Sequence, residues 1–169
     1  SDAASVSLAQ LDAHSLTQVA GTGTTTLNGP VTTSSADGVS LSGNSLQINS
    51  TVTTSGGGGV AINQAGTTTV AASADIIADG SVSITSIAGI ATAADITTTN
   101  DSIAINSAIT LTGSITLDTG NNAGDIIFSD TVDAKNAESE SLTLNAGTGS
   151  ITFASAVGST TRLGLLDIT

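Results

Sequence analysis

One short phrase recurs through the middle of the chain and constrains its fold more than any other feature. Each copy follows a turn and alternates aliphatic with small or polar residues, which is the pattern of a half-buried strand. The copies are Val39–Ser42, Val60–Asn63, Val82–Thr85 and Ile103–Asn106. They return about every 21 residues, a period typical of stacked-repeat architectures.

Two further short strands follow each copy of the phrase. After Val39–Ser42, for example, come Leu46–Asn49 and Val52–Thr54, each bounded by turn residues. Strands this short gain stability when each coil stacks on the last and buries a continuous aliphatic column. We therefore predict an all-β fold, a parallel β-solenoid (right-handed β-helix) with about 21-residue coils of three short strands. The right-handed sense is expected because parallel crossover connections are right-handed.

The core predicted for this chain is narrow. The only aromatic residues are Phe128 and Phe153, and the apolar content is otherwise valine, isoleucine, leucine and alanine. An antiparallel sandwich also has short strands at regular spacing. It would need larger core residues, however, and it does not require the same phrase to recur at a fixed period. We expect one segment, residues 1–169, which is a unit of a longer tandem array, a subunit that stacks end to end, or a trimmed fragment.

The charge balance limits the partners of the chain. Its formal net charge is −12, and Lys135 and Arg162 are the only basic residues besides one histidine. Such a balance disfavours nucleic acid and anionic membranes as partners. No apolar run of 18 residues is present, so no membrane insertion is predicted. The absence of cysteine excludes a disulfide scaffold and a thiolate metal site.

No catalytic constellation is visible, and we predict that the protein is not an enzyme. His14 is the only histidine, and no serine or acid can be assigned to it as a partner. A polysaccharide lyase would need a basic group to abstract a proton, and the two basic side chains fall in separate loops. A hydrolase would use clustered carboxylates, for which Asp125, Asp130 and Asp133 are the candidates, although turn-forming aspartate is the commoner explanation.

Calcium is the only cofactor for which the sequence offers candidate ligands, and no other cofactor is predicted. The oxygen ligands that calcium prefers occur together in one glycine-containing loop. These candidates are Asp118, Asn121, Asn122 and Asp125. The glycine run Gly56–Gly59 lacks the aspartate of calcium-binding nonapeptide repeats.

Two sets of residues are predicted to support the corners of the coils. Glycines that precede the repeated phrase permit tight turns. They are Gly38, Gly59 and Gly80. Asparagines that follow analogous strands are expected to stack and to hydrogen-bond along the axis. They are Asn63, Asn106 and Asn145.

Pairs of threonines in Thr-x-Thr spacing raise the alternative of an ice-binding or glycan-binding solenoid. The pairs are Thr24/Thr26, Thr51/Thr53, Thr67/Thr69, Thr97/Thr99 and Thr110/Thr112. A binding ladder would need the same phase in every coil. Only Thr67/Thr69 and Thr110/Thr112 share a phase by residue counting, and Gly89–Ala91 lies between them. The ladder is therefore predicted to be broken.

Several stretches resemble the β-strand-repeat regions of large secreted bacterial exoproteins. They are Gly21–Gly29, Ala94–Asp101, Gly124–Phe128 and Gly149–Gly158. The resemblance is to the filamentous-haemagglutinin-like, two-partner-secretion type of adhesin. It implies a β-helical rod at the cell surface or outside the cell, with a role in adhesion or matrix building. The partners expected are copies of the chain, end to end or laterally, and surface glycans; an export signal would lie outside these residues.

Overall fold

The computed structural model describes residues 4–169, which form 22 short strands and no helix. The first four coils contain β1 (Val6–Leu8), β2 (Leu11–Ala13), β3 (Leu16–Gln18), β4 (Thr24–Leu27), β5 (Val31–Thr33), β6 (Val39–Gly43), β7 (Ser45–Ile48), β8 (Val52–Thr54), β9 (Val60–Gln64), β10 (Thr68–Val70), β11 (Ile76–Ala78) and β12 (Val82–Ser86). The remaining strands are β13 (Ile90–Thr92), β14 (Ile96–Thr98), β15 (Ile103–Ile105), β16 (Ile109–Leu111), β17 (Ile115–Asp118), β18 (Ile126–Phe128), β19 (Val132–Ala134), β20 (Ser141–Asn145), β21 (Ile151–Phe153) and β22 (Leu165–Ile168).

Every third strand pairs in parallel with the next, so the strands form three sheets. Sheet A runs from β1 to β19, sheet B from β2 through β20 to β22, and sheet C from β3 to β21. Each coil contributes one strand to A, then B, then C. The chain is thus a β-solenoid of about seven coils, with roughly 22 residues in each, which confirms the predicted architecture. Its right-handed sense stays a prediction.

The repeated phrase of the sequence is the sheet C strand of four successive coils. Val39 pairs with Val60, Val60 with Val82, and Val82 with Ile103. The same aliphatic position therefore stacks on itself along the axis. This register explains why the phrase returns at a nearly constant spacing, since a slip of one residue would turn the buried side chains outward.

Alternate side chains of the strands fill one continuous core. Most central strands show the pattern buried, exposed, buried, as in β10 and β14. The inward positions hold isoleucine, valine and leucine with one fully buried aromatic ring, Phe128. Small β-branched side chains suit this interior because each faces the other two sheets across a short distance.

The chain turns at three corners in every coil. The AB corner joins a sheet A strand to a sheet B strand, the BC corner joins B to C, and the CA corner leads into the next coil. The BC corner before β6 contains Gly38 in the left-handed conformation, with φ of 56°. Residues 4–169 contain no helix with the length and apolarity that a membrane crossing requires.

Two local expectations were wrong, and one held in part. The strand Leu11–Ala13 was not predicted, because only one large aliphatic residue marks it. The charges of the stretch 133–141 predicted a solvated loop, which holds for the exposed residues 135–139, whereas Asp133 and Ala134 belong to β19 and Glu140 is only 5% exposed. The strand around Leu142–Leu144 belongs to sheet B, not to the sheet of the repeated phrase.

Candidate interaction surfaces

Acidic residues gather on one side of the solenoid. Of the 13 acidic residues between positions 4 and 169, eleven lie on sheet B or on the two corners that flank it. We call this side the acidic face: Asp12, Asp118 and Asp167 on the strands, Asp75, Asp95, Glu138 and Glu140 at the AB corner, and Asp37, Asp79, Asp101 and Asp125 at the BC corner. Both basic residues also lie at the AB corner, where Arg162 approaches Glu138 at 3.5 Å.

The opposite side has almost no charge. We call the CA corner, with the outer faces of sheets A and C, the uncharged side. Its acidic residues are Asp130 and Asp133, which come after six complete coils, and the described part of the chain places no basic residue there. Two large apolar side chains stand out from the CA corner: Val19 is 83% exposed and Ile87 is 80% exposed. Between them lies a shallow depression that is floored by small residues, including Gly43 and Ala65.

Many carboxylates of the acidic face hold neighbouring coils together. The Asp75 Oδ1 atom accepts a hydrogen bond from the backbone amide of Asp95 at 3.0 Å, and Asp95 Oδ1 accepts one from Thr116 at 2.7 Å. In the same way Asp79 Oδ2 accepts from Gly57 in the preceding coil at 2.8 Å. A carboxylate that accepts backbone amides contributes a charge-assisted hydrogen bond, so these residues have a structural explanation.

The calcium candidates lie around one loop, but the two aspartates among them each accept a hydrogen bond from a backbone amide. Asp118 Oδ1 accepts a hydrogen bond from the Gly120 amide at 2.7 Å, and Asp125 Oδ1 accepts one from Ser150 at 2.7 Å. Asn122 uses its backbone amide to donate to Asn100 Oδ1. Within residues 4–169, no three acidic or histidine side chains form a group that could hold a metal ion. Binding of calcium by Asp118, Asn121, Asn122 and Asp125 stays a prediction.

The three predicted glycines lie at the BC corner, where Gly38 and Gly59 align with each other and with Ser81, and Gly80 is the residue before Ser81. A Cβ atom on Gly38 would overlap the carbonyl oxygen of Gly59 in the next coil. One on Gly59 would lie 2.6 Å from the Ser81 carbonyl oxygen, and one on Gly80 would lie 2.7 Å from that of Gly57. The backbones of adjacent coils therefore approach too closely for a Cβ atom at these three positions.

The predicted asparagine column contains two of its three members. Thr85 pairs in register with Asn63, and Asn106 donates from Nδ2 to Thr85 Oγ1 at 3.3 Å and to Ser83 Oγ at 3.1 Å. Asn145 is not part of this column, since it lies on β20 in sheet B opposite Asp118. Its grouping with the other two was wrong, because coil seven is longer than the earlier coils.

A direct asparagine ladder, which was not predicted, lies at the AB corner. Asn49 Nδ2 donates to Asn28 Oδ1 at 3.1 Å, and Asn28 Nδ2 donates to Ser7 Oγ at 2.9 Å. The signal was present in the sequence, because Asn28 and Asn49 are separated by one coil. Such a ladder links coils along the axis, as the other asparagines were expected to do.

Buried polar residues line the inside of the CA corner. The Gln64 side chain donates from Nε2 to the Leu41 carbonyl oxygen at 2.8 Å, and the hydroxyls of Thr68 and Ser86 lie 2.6 Å apart. Ser107 Oγ accepts the backbone amide of Ser86. The sharp CA turns are thus held from within by polar side chains, which leaves the outside of the corner free.

The threonine pairs do not form a continuous ladder. Thr69 pairs with Ala91, and Ala91 pairs with Thr110, so Thr110 aligns with Thr69 and not with Thr67 as residue counting suggested. Gln47 occupies the same outward column one coil below Thr69. The outer face of sheet A is polar and uncharged there, but its side chains differ from coil to coil.

The candidates for catalysis lie apart. His14 is exposed at the BC corner of the first coil. Asp125 lies at a BC corner, Asp130 at a CA corner and Asp133 on a sheet A strand. The structure does not bring these residues together into one group.

The carboxylate of Glu140 is buried and hydrogen-bonded at the AB corner. Its carboxylate accepts the backbone amide of Asn136 at 2.9 Å and the Asn136 side-chain amide at 2.7 Å. The backbone hydrogen bond from Asn136, helped by its side chain and by the nearby Lys135 charge, lowers the pKa of Glu140, although desolvation opposes the shift. The carboxylate closes the loop that joins β19 to β20.

No family model, curated protein or solved structure matches the chain.

Proposed function

We propose that the chain is a structural, non-enzymatic rod segment of an extracellular or cell-surface protein, and that it continues along its axis by stacking on copies of itself. Its proposed role is mechanical: the chain serves as a rigid, extended spacer in adhesion or matrix building. The resemblance of its strand repeats to those of secreted exoproteins supports the location and the role. The observation that carries the proposal is the open strand edge at each end of the described solenoid.

At the first coil, one edge of all three sheets is unpaired in the described structure. The Leu8 carbonyl oxygen accepts the Asn28 amide, and the Leu16 amide donates to Gly38, so these groups face the second coil. In a parallel ladder, successive residues direct their backbone groups to opposite sides. The amides and carbonyls of Ser7 and Thr17 therefore point out of the end of the rod.

At the other end, the outermost strands are β22 in sheet B and β21 in sheet C. In sheet A the edge of β19 is covered, because residues 156–161 hydrogen-bond to it and Val157 pairs with Val132. Leu165 and Ile168 of β22 are 56% and 54% exposed. In sheets B and C, both ends display an open strand edge that can pair in the register the coils already use, and an edge of this kind is a template for another strand.

We expect a surface glycan to bind the uncharged side. The alternative function, ice binding, is tested by measuring thermal hysteresis. Sheet A offers hydroxyl groups from Thr69 and Thr110 but a methyl from Ala91 in the column between them.

Calcium is proposed only as a weak accessory ligand at Asp118 and Asp125. An increase in thermal stability with millimolar calcium would support it.

The test blocks the open edge of β3 in sheet C without removing the hydrogen bonds between β3 and β6. Thr17→Pro removes an amide that faces away from the second coil, and proline is tolerated on edge strands. Thr17→Ala is the matched control, because it keeps the amide and removes the same exposed side chain. Light scattering over a concentration series should show axial oligomers for Thr17→Ala and none for Thr17→Pro, with β-structure confirmed by circular dichroism. Equal masses for both variants would contradict the proposal.

A further inference from the structure

Two independent features of the uncharged side point to a second copy of the chain as its partner. The first is that nearly all the acidic residues lie on the opposite side of the solenoid. The second is the pair of exposed apolar side chains, Val19 and Ile87. We infer that two copies of the chain associate side by side and antiparallel through the CA corner, with Val19 of each beside Ile87 of the other. This inference deepens the proposed function, since it specifies a lateral contact between rods that stack axially.

The charge distribution restricts how two copies can approach. Each carries a formal net charge of −12, and eleven of the 13 acidic residues between positions 4 and 169 belong to the acidic face. Like charges brought together across an interface are destabilising. Contact through the CA corner places the two acidic faces on the outside, on opposite sides of the pair, where solvent screens them.

The positions of Val19 and Ile87 make the CA corner self-complementary. Val19 ends the first coil and Ile87 the fourth, so they are three coils apart, about 14 Å along the axis at the usual strand spacing. Val19 aligns with the column of Ser42 and Asn63, whereas Ile87 aligns with the neighbouring column of Ala65. The two side chains are therefore offset across the corner as well as along it.

A twofold axis across the corner, midway between the second and third coils, uses both offsets. It brings Val19 of one copy to the height of Ile87 of the other, so the two side chains face each other across the contact. Gly43 and Ala65, near the centre, leave room for the two backbones to approach. An interface with the same patch on both subunits is the usual form in dimers.

The same arrangement avoids the two acidic residues of the uncharged side. Between two single chains, pairing about this axis overlaps only the first four coils of each copy. Asp130 follows the sixth coil and Asp133 belongs to the seventh, so both project beyond the partner. A parallel pair in register would instead place Asp130 opposite its own copy.

The contact is expected to be weak between single chains. Four coils span only about 19 Å, and a narrow strip of that length falls short of the roughly 800 Å² per partner of a standard interface. Axial stacking would present the strip repeatedly along a rod, and repeated weak contacts gain strength from effective concentration. Covalent trapping is therefore a better test than an affinity measurement.

The chain has no cysteine, so introduced thiols report on single positions. Equimolar Val19→Cys and Ile87→Cys proteins are mixed under mild oxidation, and the three possible disulfides are counted by mass spectrometry. The control pairs Val19→Cys with Ile77→Cys, since Ile77 is an exposed isoleucine on the acidic face. We expect the 19–87 link at about tenfold or more above the 19–77 link, the excess that a raised effective concentration produces.

Equal yields of the 19–87 and 19–77 links would overturn the inference, and so would a predominance of 19–19 and 87–87 links, which indicates a parallel pair. Repeating the 19–87 reaction in the Thr17→Pro background separates this contact from axial stacking. The link should persist there while axial oligomers are lost. An absent 19–87 link between the two cysteine proteins, with axial oligomers retained, would refute the lateral contact alone.

Discussion

Phe128 and Phe153 lie ring on ring, with their centroids 4.9 Å apart and their planes within 4° of each other. They pair in register on β18 and β21 of sheet C. The separation of the rings equals the usual spacing of neighbouring strands, so one aromatic side chain stacks directly on the next along the axis. This pair shows how side chains repeat with the coils to fill a narrow core.

Truncation of the buried ring should be costly. Phe128 is fully buried, whereas Phe153 in the seventh coil is partly exposed. We expect Phe128→Ala to lower the free energy of unfolding by about 3–4 kcal/mol, from lost transfer free energy and the cavity that remains. Phe153→Ala should cost less. Denaturant titration of both variants measures the difference; equal losses would contradict the end-coil environment of Phe153.

The BC corner should not accept a side chain at Gly80. Gly80 does not adopt a left-handed backbone, so Gly80→Ala tests steric overlap alone, and we expect a loss of about 2 kcal/mol or more. Gly57→Asn is the control, since no atom lies within 4 Å of its Cβ position and asparagine tolerates its φ of 80°. The control should cost under about 1 kcal/mol. Thermal melting ranks the two, and equal stabilities would show that the coils can separate at this corner.

The repeat period predicted the solenoid because backbone register and the aliphatic column impose the same spacing on every coil. The repeat period was less informative about where individual side chains lie. Asn145 was misplaced because coil lengths vary, which shifts the residue count in the seventh coil. The segregation of charge was not predicted, since it emerges only when each turn is assigned to one of three corners. Val19 and Ile87, far apart in sequence, become neighbours on one surface for the same reason.

The asparagine ladder should contribute a small, measurable stability. Asn49→Ala removes the hydrogen bond to Asn28, and an exposed bond of this kind contributes about 0.5–1 kcal/mol. Asn63→Ala is the matched control, because Asn63 is also exposed and its side chain makes no hydrogen bond within residues 4–169. Denaturation midpoints compare the two. A control loss as large as that of Asn49→Ala would mean that the ladder contributes nothing specific.

Acid should weaken the loop closed by Glu140. Its pKa is lowered in the folded state, chiefly by the Asn136 backbone hydrogen bond, so its contribution is complete above the unfolded pKa of about 4.3 and is lost as the pH falls through the folded value. Stability measured from pH 6 downward should therefore fall more for the natural protein than for Glu140→Gln. Glu138→Gln, at an exposed neighbour, should follow the natural protein. Parallel curves for all three proteins would contradict the assignment.

Axial continuity is the central claim, and cryo-electron microscopy of the purified protein over a range of concentrations tests it most directly. Seven coils at the usual strand spacing make a rod of about 34 Å. We predict particles of constant width whose lengths are multiples of this unit, with the strand spacing continuous across each junction. Particles of one unit length at every concentration, with no continuous strand spacing beyond it, would contradict the account.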